Sequence, residues 1–209
     1  MLEVNQKEIF NRKLAVFVID ECHLMGGDIC GYGWGDRKER RTVDVKNYRD
    51  RQTYYGAVDL LTEELLIQKA HRPRRGFLGV RTEQAAKTAD GTRTVNFVKY
   101  LQSQRPDSRL LLIWDGATYH RGEEFRNYLT QVNQEYPEVW QIHCKRFAPH
   151  APEENPIENI WSQVKNFLKR FHRFCKSFSI TKRLFELFID YQLFTMPNLN
   201  HYDAFSHLF

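Results

Sequence analysis

Two short segments, LAVFVID (residues 14–20) and RLLLIWD (109–115), constrain the fold of this chain more than any other feature. Each is an unbroken apolar run of leucine, β-branched and aromatic residues, and each stops at an aspartate. A strand that is apolar at both odd and even positions has no face to offer to water, so the two runs predict buried central strands. The first is expected to end at Asp20-Glu21 and the second at Asp115, just before Gly116.

The rest of the chain supplies elements around these strands. TYYGAVDLLTEELLIQKA (53–70) reads as two strands joined by a polar turn at Thr62 to Glu64, with a helix as the rival for its second half. In TVNFVKYLQSQ (94–104), Phe97, Val98 and Leu101 have the spacing of a helix that crosses over to the second buried strand. A further helix is expected within 122–132 and a strand within 139–147. After Asn155 the apolar residues Ile157, Ile160, Trp161, Val164, Phe167, Leu168 and Phe171 mark one core-facing helix stripe. A last amphipathic helix is predicted over about 180–194 through Ile180, Leu184, Leu187, Phe188 and Tyr191, with Pro197 beyond its end.

Composition narrows the class of protein. With 209 residues, 42% hydrophobic and 14% aromatic, the chain can bury one core, with or without an appendage. No apolar run approaches the roughly 18 to 20 residues of a membrane span, and MLEVNQKEIFNRK lacks the order of a signal peptide, so a cytoplasmic location and no membrane partner are expected. The cysteines Cys22, Cys30, Cys144 and Cys175 form no C-x-x-C pair, which points away from zinc and from a disulfide framework. A formal charge of +5 points toward a polyanionic partner. Two stretches concentrate that charge: Asp36 to Arg51, and HRPRRG (71–76). On the helix after Asn155, Lys165, Lys169, His172 and Arg173 form a basic stripe, making Lys165, Lys169 and Arg173 candidates for nucleic-acid contact.

If both buried strands end at their aspartates and a helix opens near Glu158, three carboxylates can meet at the carboxyl ends of the sheet strands, where open α/β sheets bind ligands. Clustered carboxylates repel one another, and hard divalent cations such as Mg²⁺ neutralise them. Two such ions about 3.5 to 4 Å apart can activate a water or a 3′-hydroxyl and stabilise the leaving oxygen of a phosphodiester. Local physics offers Glu158 a second use. Asn155 is a good N-cap, Pro156 suits the first helical position, and Glu158 stands at the third position of a capping box. The spacing alone leaves both uses open.

The segments FVIDECH, LLIWDGATYH and FAPHAPEENPIENIWSQVK resemble the three catalytic blocks of the mariner-like DDE transposases, in their bacterial insertion-sequence branch, over about residues 14–175. The resemblance implies an α/β fold, an RNase H-like mixed five-stranded sheet flanked by helices. It implies a lead-in over 1–13, the catalytic domain over 14–195 and a tail over 196–209. Asp20, Asp115 and Glu158 would be the catalytic residues and the ligands of two Mg²⁺ ions, with Mn²⁺ able to substitute. His120 would orient a carboxylate or contact phosphate, Glu21 would stand behind the ligands, and Asn155 and Pro156 would aim Glu158.

The implied activity is metal-dependent cleavage of double-stranded DNA at element ends, followed by strand transfer. An upstream helix-turn-helix product or domain would recognise the ends, and a homodimer would join them. Three departures from the family pattern accompany the match: Gly116 in place of the usual Asn together with the lead-in HAPEENPIE, a long interval from Asp115 to Glu158 with the extra length around 121–141, and few residues before Asp20. An inactive DNA-binding remnant and a nuclease acting on RNA or hybrid duplexes are the rival readings.

Overall fold

The computed structural model describes residues 5–26, 50–70, 83–114, 122–133, 140–147 and 155–196, with residues 83–90 described as backbone only. Among these residues, five strands form one mixed sheet: β1 (Leu14–Met25), β2 (Arg51–Asp59), β3 (Leu65–Lys69), β4 (Arg109–Trp114) and β5 (Ile142–Arg146). Their spatial order is β3-β2-β1-β4-β5. The first three are antiparallel neighbours, while β4 lies parallel to both β1 and β5. The expected hairpin, central strands and fifth strand are thus all present.

One boundary differs from the sequence reading. β1 does not end at Asp20 but continues to Met25. The reason is its antiparallel neighbour β2. Parallel pairing with β4 is described only as far as Val18 with Ile113, whereas antiparallel pairing with β2 carries on to Met25 with Arg51. Glu21 to Met25 therefore extend the strand on ladder bonds to β2, which an apolar-run criterion does not detect.

Alternation along β1 divides the core into two layers. Leu14, Val16, Val18, Cys22 and Leu24 pack with α4 (Pro156–Arg170) and α5 (Phe178–Asp190). Ala15, Phe17 and Ile19 pack on the other side with residues of α2 (Glu83–Gln104) and α3 (Glu123–Val132). A short α1 (Gln6–Phe10) buries Ile9 in the first of these layers. On α2, the expected Phe97, Val98 and Leu101 are all buried.

A polar clamp holds the turn between β2 and β3. Asp59, 2% exposed, accepts the backbone N–H groups of Leu61 and Thr62, and the Arg105 guanidinium lies 2.9 Å from its other oxygen. Arg105 also meets Glu64 at 2.6 Å, so the end of α2 is fastened to the hairpin.

The last helix corrects part of a second expectation: Phe188 is buried and Leu184 packs on the core as expected, but the other named residues do not. α5 turns Thr181, Phe185 and Phe188 into the core, while Ile180, Leu187 and Tyr191 are exposed. Phe185 decides the rotation: its ring stacks on Tyr54 at 4.2 Å and lies 6.2 Å from the Trp161 ring. The apolar stripe through Ile180, Leu187 and Tyr191 has no comparable partner in the sheet among the described residues.

Candidate active site

Asp20 is half-buried on β1, two residues past the last described pair with β4, and is paired there with β2. By strand alternation it shares the face of Val18 and Cys22, which is the face covered by α4. Its partner across the β1–β2 ladder is Gly56.

Gly56 explains how α4 comes so close. A Cβ at this position would lie 2.5 Å from Cζ2 of Trp161 and 2.8 Å from Cδ1 of Ile157. No side chain larger than hydrogen fits there while α4 is seated. The start of α4 therefore rests directly on the strand position paired with Asp20.

The helix start is fixed locally. Asn155, 5% exposed, accepts a hydrogen bond from the Ile157 backbone N–H at 3.2 Å, and Pro156 takes the first helical position. The backbone N–H of Glu158 donates to the Asn155 carbonyl at 3.1 Å, and the Glu158 side chain is exposed at the helix N-terminus, where a carboxylate is electrostatically favoured. Behind it, Ile157, Ile160, Trp161, Val164 and Leu168 are buried as the periodicity requires, whereas Phe167 is partly buried and Phe171, at the end of the expected stripe, is 37% exposed. The Trp161 indole N–H is buried beside Gly56 and finds no acceptor among the described residues.

Asp20 and the turn of α4 bearing Glu158 therefore share one sheet face. Glu21 is on the other face, with a side chain 9% exposed and 3.9 Å from His23 Nε2. The His23 ring is held in turn by Thr53, at 3.0 Å from Nδ1. Asp115 and His120 lie outside the described residues. Of the basic candidates, Lys165 and Lys169 are half-buried along α4, and Arg173 is exposed beyond its end.

Among the described residues no group of three His, Cys, Asp or Glu side chains gathers to hold a metal ion. Asp20 and Glu158 are carboxylates on two elements of the same sheet face, β1 and α4. The residue that sequence reasoning missed is Gly56. Its signal was present, since a glycine inside the apolar strand YYGAV marks a close backbone approach.

The sequence profile of the DDE superfamily endonuclease family matches residues 15–181. No curated protein matches the sequence. Among solved structures, the mariner Mos1 paired end complex with Mg is similar with a TM-score of 0.53 at 13% identity, over 99% of this chain and 55% of that one. The Mos1 strand transfer complex gives 0.52 at 13% identity, over 99% and 54%. The Mos1 transposase catalytic domain with Raltegravir and Mg gives 0.52 at 13% identity, over 99% and 83%. These similarities show the fold, the RNase H-like mixed sheet flanked by helices. The chain spans about half the length of the Mos1 chains in the two complexes.

Proposed function

This chain belongs to the DDE superfamily endonuclease family, and from that premise we propose that it is the catalytic domain of a mariner-like transposase of the bacterial insertion-sequence branch. The observation that carries the reading is the seating of α4 on Gly56, which sets Glu158 on the same sheet face as Asp20. Asp115 completes the proposed triad. Each β1–β4 pair, from Leu14 with Arg109 to Val18 with Ile113, has the same separation in sequence as Asp20 and Asp115. Carried two residues further, that register would bring the two aspartates level on neighbouring parallel strands.

In this reading Asp20, Asp115 and Glu158 hold two Mg²⁺ ions, or Mn²⁺ in their place. When bound, such ions supply an activated water or 3′-hydroxyl and stabilise the oxygen that leaves the scissile phosphodiester. The protein's part is positioning. The Asn155 cap and Pro156 fix the direction in which Glu158 leaves α4, and the Gly56 contact fixes how far α4 stands from Asp20. Lys165, Lys169 and Arg173 bind DNA phosphates along α4, while His120 orients a carboxylate or touches phosphate and Glu21 supports β1 from behind.

The reaction is hydrolysis of double-stranded DNA at element ends followed by strand transfer. The Mos1 structures of this fold are paired-end and strand-transfer complexes, and we extend that assembly to this chain as a homodimer, with an upstream helix-turn-helix region reading the ends in the cytoplasm.

Calorimetric titration of Mn²⁺ into the wild type, Asp20→Asn and Asp115→Asn tests the site directly. Binding by the wild type that both variants lose supports the triad. A folded wild type that takes up no Mn²⁺, alone or with duplex DNA, would overturn it in favour of an inactive remnant.

A further inference from the structure

From Asn159 to Phe185 the chain contains seven Lys or Arg and no Asp or Glu, a local charge larger than the +5 of the whole protein. Six of these cations, Lys169, Arg170, Arg173, Lys176, Lys182 and Arg183, lie around one corner. There α4 ends, a 3-10 turn (His172–Phe174) follows and α5 begins.

Three cations elsewhere are paired, Lys69 with Glu186, Arg105 with Asp59 and Glu64, and Arg109 with Glu8. None of the six corner cations has a carboxylate within 4.0 Å among the described residues. The negative end of the α4 dipole accounts for Lys169 and Arg170, but Lys182 and Arg183 lie in the first half of α5, toward its positive end. Six like charges on one corner repel one another, and a polyanion relieves that repulsion.

The corner is also held firmly. Phe171 packs on Phe167 at 4.7 Å and on Phe174 at 6.2 Å, and Phe167 meets Phe188 in the core at 4.9 Å. Phe174 at the tip is 66% exposed, an apolar ring set among the cations.

We propose that Arg170, Lys176, Lys182 and Arg183 extend the stripe of Lys165, Lys169 and Arg173 around the α4–α5 corner, making a surface remote from the carboxylates that grips the phosphates of duplex DNA. It rests on the reading of this chain as a DNA-processing enzyme and adds where the duplex is held away from the cut. Glu158 and Arg170 are separated by most of the length of α4, about 18 Å at 1.5 Å per residue. At about 3.4 Å per base step, a duplex lying along the helix reaches the corner about five base pairs from the phosphate at Glu158.

The test is fluorescence anisotropy of a random-sequence duplex longer than α4, titrated with the full chain in EDTA over a series of salt concentrations. The wild type is expected to bind with a steep salt dependence. Arg170→Gln/Arg173→Gln/Lys176→Gln should lower the slope of log K against log salt by about three, near 0.9 for each lost phosphate contact. Arg183→Gln alone should lower it by about one, which keeps the test available if the triple variant fails to fold. Wild-type slopes in both variants, or no duplex binding by the wild type, would overturn the proposal. So would capture by phosphatidylserine vesicles without capture by the duplex. A failure of the catalytic reading shows separately, as duplex that is bound in EDTA by a chain that takes up no Mn²⁺ in calorimetry, with or without that duplex.

Discussion

Asp20 and Gly56 stand opposite each other in the β1–β2 ladder, and the absence of a side chain at Gly56 brings Ile157 and Trp161 down beside the aspartate. Gly56→Ala inserts a carbon 2.5 Å from the Trp161 ring, so α4 must move outward and carry Glu158 with it. The expected cost is about 1 to 3 kcal/mol from overpacking. Mn²⁺ affinity, read by calorimetry on the folded variant, should fall as well. A variant with wild-type stability and affinity would show that the contact does not set the position of the helix.

Glu158→Gln should abolish Mg²⁺-dependent DNA cleavage and leave the melting temperature close to wild type. The side chain is exposed, and the Asn155 side chain caps the helix start. Glutamine keeps the size and polarity of the residue while removing the charge that binds a cation. Loss of folding in this variant would mean that Glu158 is a structural residue.

Burial on both faces made the two central strands legible, because LAVFV and LLLIW admit no solvent-facing alternative. The α4 stripe was legible for the same reason at a helical period. What the sequence hid were features set by a neighbour. β1 runs past Asp20 because β2 is there to pair with it, and α5 rotates to Phe185 because Tyr54 offers that ring a stacking partner. Of the candidate site, Asp20 and Glu158 could be named from motifs, but Gly56 acquires its meaning only when α4 is packed against it.

Trp161→Ala should destabilise the fold by about 3 to 5 kcal/mol, measured by urea denaturation. The ring is 4% exposed and fills the space between Gly56 and Phe185. A near-neutral result would contradict its place in the core.

Arg105→Met leaves the Asp59 carboxylate, 2% exposed, without its guanidinium partner. A buried charge stripped of its partner costs about 3 to 5 kcal/mol, and the shift of the urea midpoint reads it. Adding Asp59→Asn in the same chain should recover part of that loss, since no buried charge then remains unpaired. A double variant weaker than the sum of the two single variants would refute the pairing account.

His143 on β5 gives the fold an acid sensitivity. Burial, then the charges of Arg109 and Lys145, hold its pKa below the ordinary 6.5. The folded state thus keeps the ring neutral at pH values where the unfolded chain already takes up a proton. Between the folded pKa and about 6.5 the unfolded state binds more protons, so stability is fully present above about 6.5 and declines as pH falls through that window. His143→Gln removes this titration. Urea midpoints compared from about pH 7.5 down to about pH 5.5 should show the wild type losing more stability than the variant, with the gap opening below about 6.5. Parallel curves would mean that the imidazole has the same proton affinity in both states.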